Sequence, residues 1–329
     1  MVETMKDDVP LHNEFLVCGG IVTHVVKCGP WSDLFNIKDH NSPQLLFLIV
    51  PGNPGLPAFY SDFAKALYLN LKKQYPVWVI NHAGHVAAPS GFKMEEESLK
   101  DPSPSTVEDP FGLDGQVEHK LAFLRGCVPA NVKLVLIGHS VGTYILLEML
   151  KRVPQLPVLR SLLLFPTIER IANTPNGNVM TPILCWFRYF LYLLIYIVLC
   201  LTPTKVINMV TSVFLQKLKV KSEVVSRYIK NSLNINCIAN AMYLGAQEMK
   251  TILERDNHTI QKHLKKLTFY YGASDRWCPV RFYEDIKKDF PNGDIRLCEK
   301  GICHAFIISS SEEVAAMIPG WLEADLAKL

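Results

Sequence analysis

One stretch, Lys133 to Gly142, puts a serine where chemistry could use it. Leu134 to Ile137 is a short apolar run that reads as a buried strand, and Tyr144 to Arg152 reads as a helix. Between them, Gly138-His139-Ser140-Val141-Gly142 leaves room only for a sharp turn. A G-x-S-x-G sequence between a strand and a helix is the nucleophile-elbow pattern: the turn is strained, its flanking positions must be small, and the serine Oγ stands clear of the sheet. The amide of Val141 then opens a helix, where developing negative charge is favoured. A serine so placed suits acyl transfer. That reaction also needs a base, an acid to hold the base, and donors for the oxyanion.

In an open parallel sheet, the loops that follow the carboxyl ends of strands converge on the site. Leu267 to Gly272 reads as a strand and leads straight into Ala273-Ser274-Asp275, so Asp275 is the expected acid. Asp285, Asp289 and Asp294 fall on a helix or before a strand, at the wrong edge. Ile295 to Cys298 reads as the last strand, and His304 lies in the loop after it, which makes His304 the expected base. His258 and His263 belong to an intervening block, and His82 and His85 follow an earlier strand. His139 is assigned no chemistry; packing against the loop that bears His82 and His85 accounts for it. For the oxyanion, the loop Pro51-Gly52-Asn53-Pro54-Gly55 follows the strand Leu45 to Val50. Proline has no N–H. Asn53 holds the place after the glycine, so its backbone N–H is expected to act beside that of Val141, with its side chain as a further donor.

These residues need a scaffold, and the chain supplies one in alternation. Phe15 to Cys18 and Ile21 to Val26 flank Gly19-Gly20 as a hairpin. Gln44 to Val50 is nearly all apolar, as in a strand buried on both faces. A helix is expected over Ala58 to Gln74, a strand over Val77 to Ile80, a helix over Leu113 to Leu124 and a strand over Ser161 to Phe165. The acidic and serine-rich run Lys93 to Asp109 reads as an exposed loop. After the break, helices are expected over Arg281 to Phe290 and Ser311 to Leu326. The fold class is therefore α/β, a doubly wound and mostly parallel sheet. Residues 1–166 and 267–329 form its core, and 167–266 form an inserted helical cap.

Composition narrows the function classes. Hydrophobic residues make up 49% of the 329, the mean hydropathy is +0.14, and a net charge of +3 is too small to point to nucleic acid. The nine cysteines include no C-x-x-C pair and no zinc spacing. Met1 to Pro10 is polar and lacks the apolar core of a signal peptide. The expectation is a reducing compartment with free thiols, and a reaction that needs no metal or organic cofactor.

The inserted block carries its own signal. Ile183 to Leu201, bounded by Pro182 and Pro203, is almost wholly apolar with Arg188 as its one charge. Read from the residues alone, it suits either a buried cap helix or a lipid-embedded segment, borderline in length for a span. Val206 to Leu218 follows, with Ile207, Val210, Phe214 and Leu218 on one helical face. Lys205, Lys217, Lys219, Lys221, Arg227 and Lys230 stand against Glu223 alone, a basic rim that suits an anionic lipid surface.

Five stretches carry a resemblance: Ile49 to Gly55, Ile137 to Gly142, Leu163 to Glu169, Phe269 to Gly272 and His304 to Phe306. Through them the chain resembles an α/β-hydrolase, and more narrowly the lipid droplet-associated hydrolase family. The resemblance implies a serine lipase at the cytosolic face of lipid droplets and the endoplasmic reticulum membrane, with cholesteryl ester as substrate. It implies Ser140 as nucleophile with Asp275 and His304 as its partners. It also favours a segment embedded in the droplet monolayer, which must return on the side it entered. One departure bears on the oxyanion loop, where many lipases carry His-Gly and this chain has Pro51-Gly52. Two other functions stay open at this point: a droplet-binding scaffold with little turnover, and an acyltransferase using the same residues.

Overall fold

Six of the eight strands run parallel and aim their carboxyl ends at one edge, which is what collects the site. The computed structural model describes residues 9–31, 43–87, 91, 108–217 and 235–329. The polar start of the chain through Asp8, the expected loop from Lys93 to Val107, and the rim residues from Leu218 to Lys230 lie outside the described residues.

The hairpin is β1 (Leu11–Cys18) with β2 (Ile21–Cys28), paired in full from Leu11 opposite Cys28 to Cys18 opposite Ile21. Gly19 and Gly20 take φ of 58° and 78°, as a two-residue turn between twisted strands requires. Then follow β3 (Leu45–Val50), α1 (Ser61–Asn70), β4 (Val77–Ile80), α2 (Leu113–Cys127), β5 (Lys133–His139), α3 (Val141–Arg152) and β6 (Val158–Leu164). Five helices come next: α4 (Gly177–Cys185), α5 (Arg188–Leu201), α6 (Thr204–Lys217), α7 (Ile235–Thr251) and α8 (Asn257–His263). The chain closes with β7 (Leu267–Gly272), α9 (Val280–Asp289), β8 (Asp294–Cys298), α10 (Phe306–Ser309) and α11 (Ser311–Leu326).

The sheet order is β1-β2-β4-β3-β5-β6-β7-β8, antiparallel only at β1–β2 and β2–β4. All residues of β3, β4 and β7 are buried, because helices cover both faces of a parallel sheet. The helices fall into two groups: α1 packs on α11, and α3 packs on α2 and α8. The block between β6 and β7 leaves their pairing intact, with Ser161 opposite Leu267 through Leu164 opposite Tyr270. The helix expected from Ala58 begins instead as a 3-10 turn over Pro57–Tyr60, and α1 ends at Asn70, ahead of Lys72 and Lys73 at positive φ.

The apolar run Ile183–Leu201 is not one helix. It breaks after Cys185, and α4 and α5 meet at 78°. Pro182 inside α4 has no N–H, and its carbonyl accepts from both Trp186 (3.0 Å) and Phe187 (3.2 Å), so α4 closes there. Among the described residues, no single helix is long and apolar enough to cross a membrane, whereas the bent pair α4–α5 has the length and composition to do so. The buried-helix alternative is not met in α5. It has no buried residue, and Trp186 just ahead of it (75% exposed), Phe190 (70%) and Leu201 (78%) face outward. Only Leu191, Tyr192 and Ile195 pack inward, against Leu184, Met242 and Ala246 of α4 and α7. In α6, Met209, Val210 and Val213 are exposed in the same way.

Candidate active site

Ser140 is the single residue between β5 and α3, held at φ 53°, ψ −125°. This conformation is costly for a residue with a Cβ and is kept only where its surroundings fix it. The glycines on either side allow the turn. A Cβ at position 142 would lie 2.2 Å from the Val50 carbonyl oxygen, and one at position 138 would lie 2.8 Å from the Gly142 carbonyl carbon. The Ser140 N–H donates to Leu164 O at 3.1 Å, tying the elbow to β6.

The three residues expected to act together meet. Ser140 Oγ lies 2.9 Å from His304 Nε2, and His304 Nδ1 lies 2.7 Å from Asp275 Oδ2. A carboxylate only accepts, so Nδ1 carries the proton and Nε2 is free to accept the serine proton. Asp275 is buried. Burial alone would raise its carboxyl, but the bonds from His304, from the Cys278 thiol (2.9 Å) and from the Trp277 N–H (2.7 Å) outweigh it. The pKa is held below the usual carboxylate value.

The two expected oxyanion donors lie on segments that adjoin the same serine. Val141 opens α3, so no carbonyl of the helix takes its N–H. The Asn53 N–H bonds to no backbone acceptor among the described residues. The loop that bears it runs close to the nucleophile: a Cβ at Gly52 would lie 2.8 Å from Ser140 Cβ. The Asn53 side chain points away from this role and donates to Ala241 O (2.9 Å) and Glu248 Oε1 (3.1 Å) of α7.

Several supporting residues were not legible beforehand. His139 does not serve the loop of His82 and His85. Its partners are Tyr60, whose hydroxyl is 2.6 Å from Nδ1, and the His304 carbonyl, 2.9 Å from Nε2. A carbonyl only accepts, so Nε2 carries the proton and Nδ1 accepts from Tyr60. Tyr60 Oη in turn accepts from the Gly52 N–H at 2.7 Å. One buried chain thus joins the oxyanion loop to the backbone of His304. Burial, with the nearby His304 charge, pushes His139 down to about 3, so it is neutral. Phe165, at φ 49°, stacks on Phe306 (5.6 Å) and meets His139 and His304 edge-on. On the far side of the loop, His85 Nδ1 donates to Pro54 O at 2.6 Å. Cys278, three positions after Asp275, could have been found from its closeness in sequence. Tyr60 and Glu248 left no comparable signal, because only the tertiary structure brings them to the site.

The donor atoms of Asp275, Cys278 and His304 lie within 4.8 Å of one another, a spacing that a metal could use. The chemistry of the set fits poorly. Burial, reinforced by Asp275, pushes the Cys278 thiol well up, so it stays protonated, whereas metals bind the thiolate.

Known proteins share both the sequence and this architecture. Residues 43–307 match the family described as lipid-droplet associated hydrolase. Proteins named lipid droplet-associated hydrolase from Pongo abelii and Homo sapiens are 53% and 52% identical over 329 residues, each covering 100% of both chains. Among solved structures, the haloalkane dehalogenase DbeA from Bradyrhizobium elkani USDA94 superposes with a TM-score of 0.60 at 13% identity, over 98% of this chain and 100% of that one. Its likeness bears on the fold alone. The chain therefore belongs to the lipid droplet-associated hydrolase family, built on the α/β-hydrolase fold.

Proposed function

We propose that this hydrolase is a serine lipid-ester hydrolase working at the surface of lipid droplets and on the cytosolic face of the endoplasmic reticulum, with cholesteryl ester as its substrate class. The observation that carries the reading is the unbroken hydrogen-bond chain from Ser140 through His304 to Asp275, at 2.9 and 2.7 Å. Ser140 Oγ attacks the ester carbonyl as His304 Nε2 takes its proton. Asp275 fixes the imidazole tautomer and offsets the charge it gains. The oxyanion is met by the N–H groups of Asn53 and Val141. His304 then returns the proton to the leaving alkoxide, and water, activated by the same imidazole, releases the acid from Ser140.

Residues 167–266 act as the cap, and within them α5 and α6 form the lipid-facing surface. The exposed apolar side chains of these helices support this reading, since a protein that stays in water rarely leaves so many uncovered together. Arg188 sits at the start of α5, over the rings of Tyr189 and Tyr243, where a charge can remain at an interface.

The test is a screen of purified protein beside Ser140→Ala, against emulsified cholesteryl oleate and other lipid esters. Wild type should hydrolyse the sterol ester and be labelled by a fluorophosphonate. Ser140→Ala should do neither while keeping its fold. Equal turnover by both proteins would exclude Ser140 as the nucleophile.

A further inference from the structure

Helix α7 is packed on the lipid-facing helices at one side and bonded to the oxyanion loop at another. Met242 and Ala246 meet α4 and α5, whereas Leu244, Met249 and the following Ile252 cluster with Val141 at the start of α3. A third face carries Ala241, Gly245 and Glu248, one helical turn apart from each to the next. This face meets Asn53. Asn53 Nδ2 donates one bond to Ala241 O at 2.9 Å and one to Glu248 Oε1 at 3.1 Å, which uses both of its hydrogens. Gly245 lies between the two acceptors, where a Cβ would sit 3.5 Å from the same nitrogen.

Glu248 is an unusual residue to bury here. Among the described residues it makes no ion pair, and the Asn53 side chain is the one side-chain donor to it. Burial pushes its carboxyl up to about 7, with the Asn53 bond pulling the other way. A buried carboxyl with a single donor is a net cost to folding. Leucine would fill the same place on α7 without that cost, so the carboxyl must serve something besides packing. What it touches is the side chain of the residue that follows Gly52, the position where a Cβ would lie 2.8 Å from Ser140 Cβ.

We propose that Glu248 is a positioning residue: acting through the Asn53 side chain, it holds the Asn53 N–H where the oxyanion forms. This rests on the serine-hydrolase reading above. The consequence is specific. Losing the Glu248 acceptor should weaken stabilisation of the tetrahedral intermediate and leave ground-state binding of substrate unchanged.

The full chain is compared with Glu248→Leu, Glu248→Gln and Asn53→Ala on a soluble short-chain ester. Active sites are counted by exhaustive fluorophosphonate labelling. Glu248→Leu should lower kcat per labelled site roughly 10- to 100-fold, somewhat less than outright loss of an oxyanion donor. KM should stay within about twofold, and the rate of phosphonylation should fall in parallel. Glu248→Gln keeps a side-chain carbonyl for Asn53 and should recover most of the lost kcat. Asn53→Ala removes the other partner and should match Glu248→Leu, with the double variant no worse than either single one. A purely structural role would lower the number of labelled sites and leave kcat per site alone, and that result overturns the proposal. So does full additivity in the double variant, or a Glu248→Gln variant as slow as Glu248→Leu. If Glu248→Leu fails to fold, the Gln and Asn53 variants decide in the same terms. Turnover surviving in Ser140→Ala would instead overturn the reading beneath.

Discussion

The strand ends around Ser140 and the helix α5 use apolar residues in opposite ways. In β3, β5 and β7 the apolar side chains are buried, and the loops at their ends hold polar groups to within a few tenths of an ångström of bonding distance. In α5, apolar but for Arg188 and the tyrosine hydroxyls, no residue is buried. Apolar content therefore says little without its cover. Scattered exposed apolar residues are ordinary, but a helix whose one charge is Arg188, left uncovered among the described residues beside a second one with exposed Met209, Val210 and Val213, is not. The first region is complete in itself and arranges chemistry. The second leaves apolar side chains exposed among the described residues, the surface proposed above to face lipid. If that contrast holds, damage to one region should leave the other working.

The largest effect is expected at the acid. Asp275→Asn keeps the size and shape of the side chain but lets the wrong imidazole nitrogen carry the proton. In a serine protease that change costs about 10⁴ in turnover. A fall of similar order is expected in kcat on a soluble ester, with binding to lipid vesicles unchanged. Asp275→Asn at wild-type turnover would remove Asp275 from the mechanism.

The converse substitution targets α5. Leu193, Leu194 and Ile197 are about half exposed, so changing all three to aspartate disturbs little of the core. Burying such a side chain in an apolar phase is worth roughly 1.5–3 kcal/mol, and aspartate reverses the sign. Partition onto droplets or vesicles should drop about 10³-fold or more, measured by flotation. Turnover of a soluble ester should stay within about twofold. A variant that loses both properties together would show that the two regions are not separable, and one that still floats would show that α5 is not the docking face.

How much of this was legible beforehand differs along the same divide. Ser140, Asp275 and His304 could be read because each stands at the end of an apolar strand, and strand ends at one edge of a parallel sheet must converge. The strand Leu267–Gly272 and the helix Ser311–Leu326 appear with the bounds expected of them. The break between α4 and α5 was hidden, because Pro182 bounded the apolar run and gave no sign of a bend beyond it. The fate of α5 was hidden for a different reason. Periodicity shows that a face is apolar, and only tertiary packing shows whether anything covers it. Tyr60, His139 and Glu248 escaped because their bonds cross from one element to another, at sequence separations no local pattern encodes.

The smallest effect sharpens the first region from within. Tyr60 gives its hydroxyl proton to His139 and takes one from the Gly52 N–H, so Tyr60→Phe leaves two buried groups without a partner. The His304 carbonyl, which only accepts, still keeps the His139 proton on Nε2. What is lost is the hold on the His139 ring from its Nδ1 side and on the oxyanion loop through the Gly52 N–H. The ring of His304 keeps Asp275 and Ser140 as partners, while the loop that bears Asn53 gains freedom. Loss of one such bond is worth about 1–2 kcal/mol, so kcat should fall on the order of 10-fold. The deficit should appear equally on soluble and emulsified esters, because α5 is untouched. Its pH dependence is also fixed. His139 is held down to about 3 by burial, so it does not titrate between pH 6 and 9, and the ratio of variant to wild-type kcat should be flat across that range. A ratio that changes steeply with pH would show that His139 gains a proton in the working enzyme, and a folded Tyr60→Phe at wild-type kcat would show that the chain from Gly52 to His304 only packs.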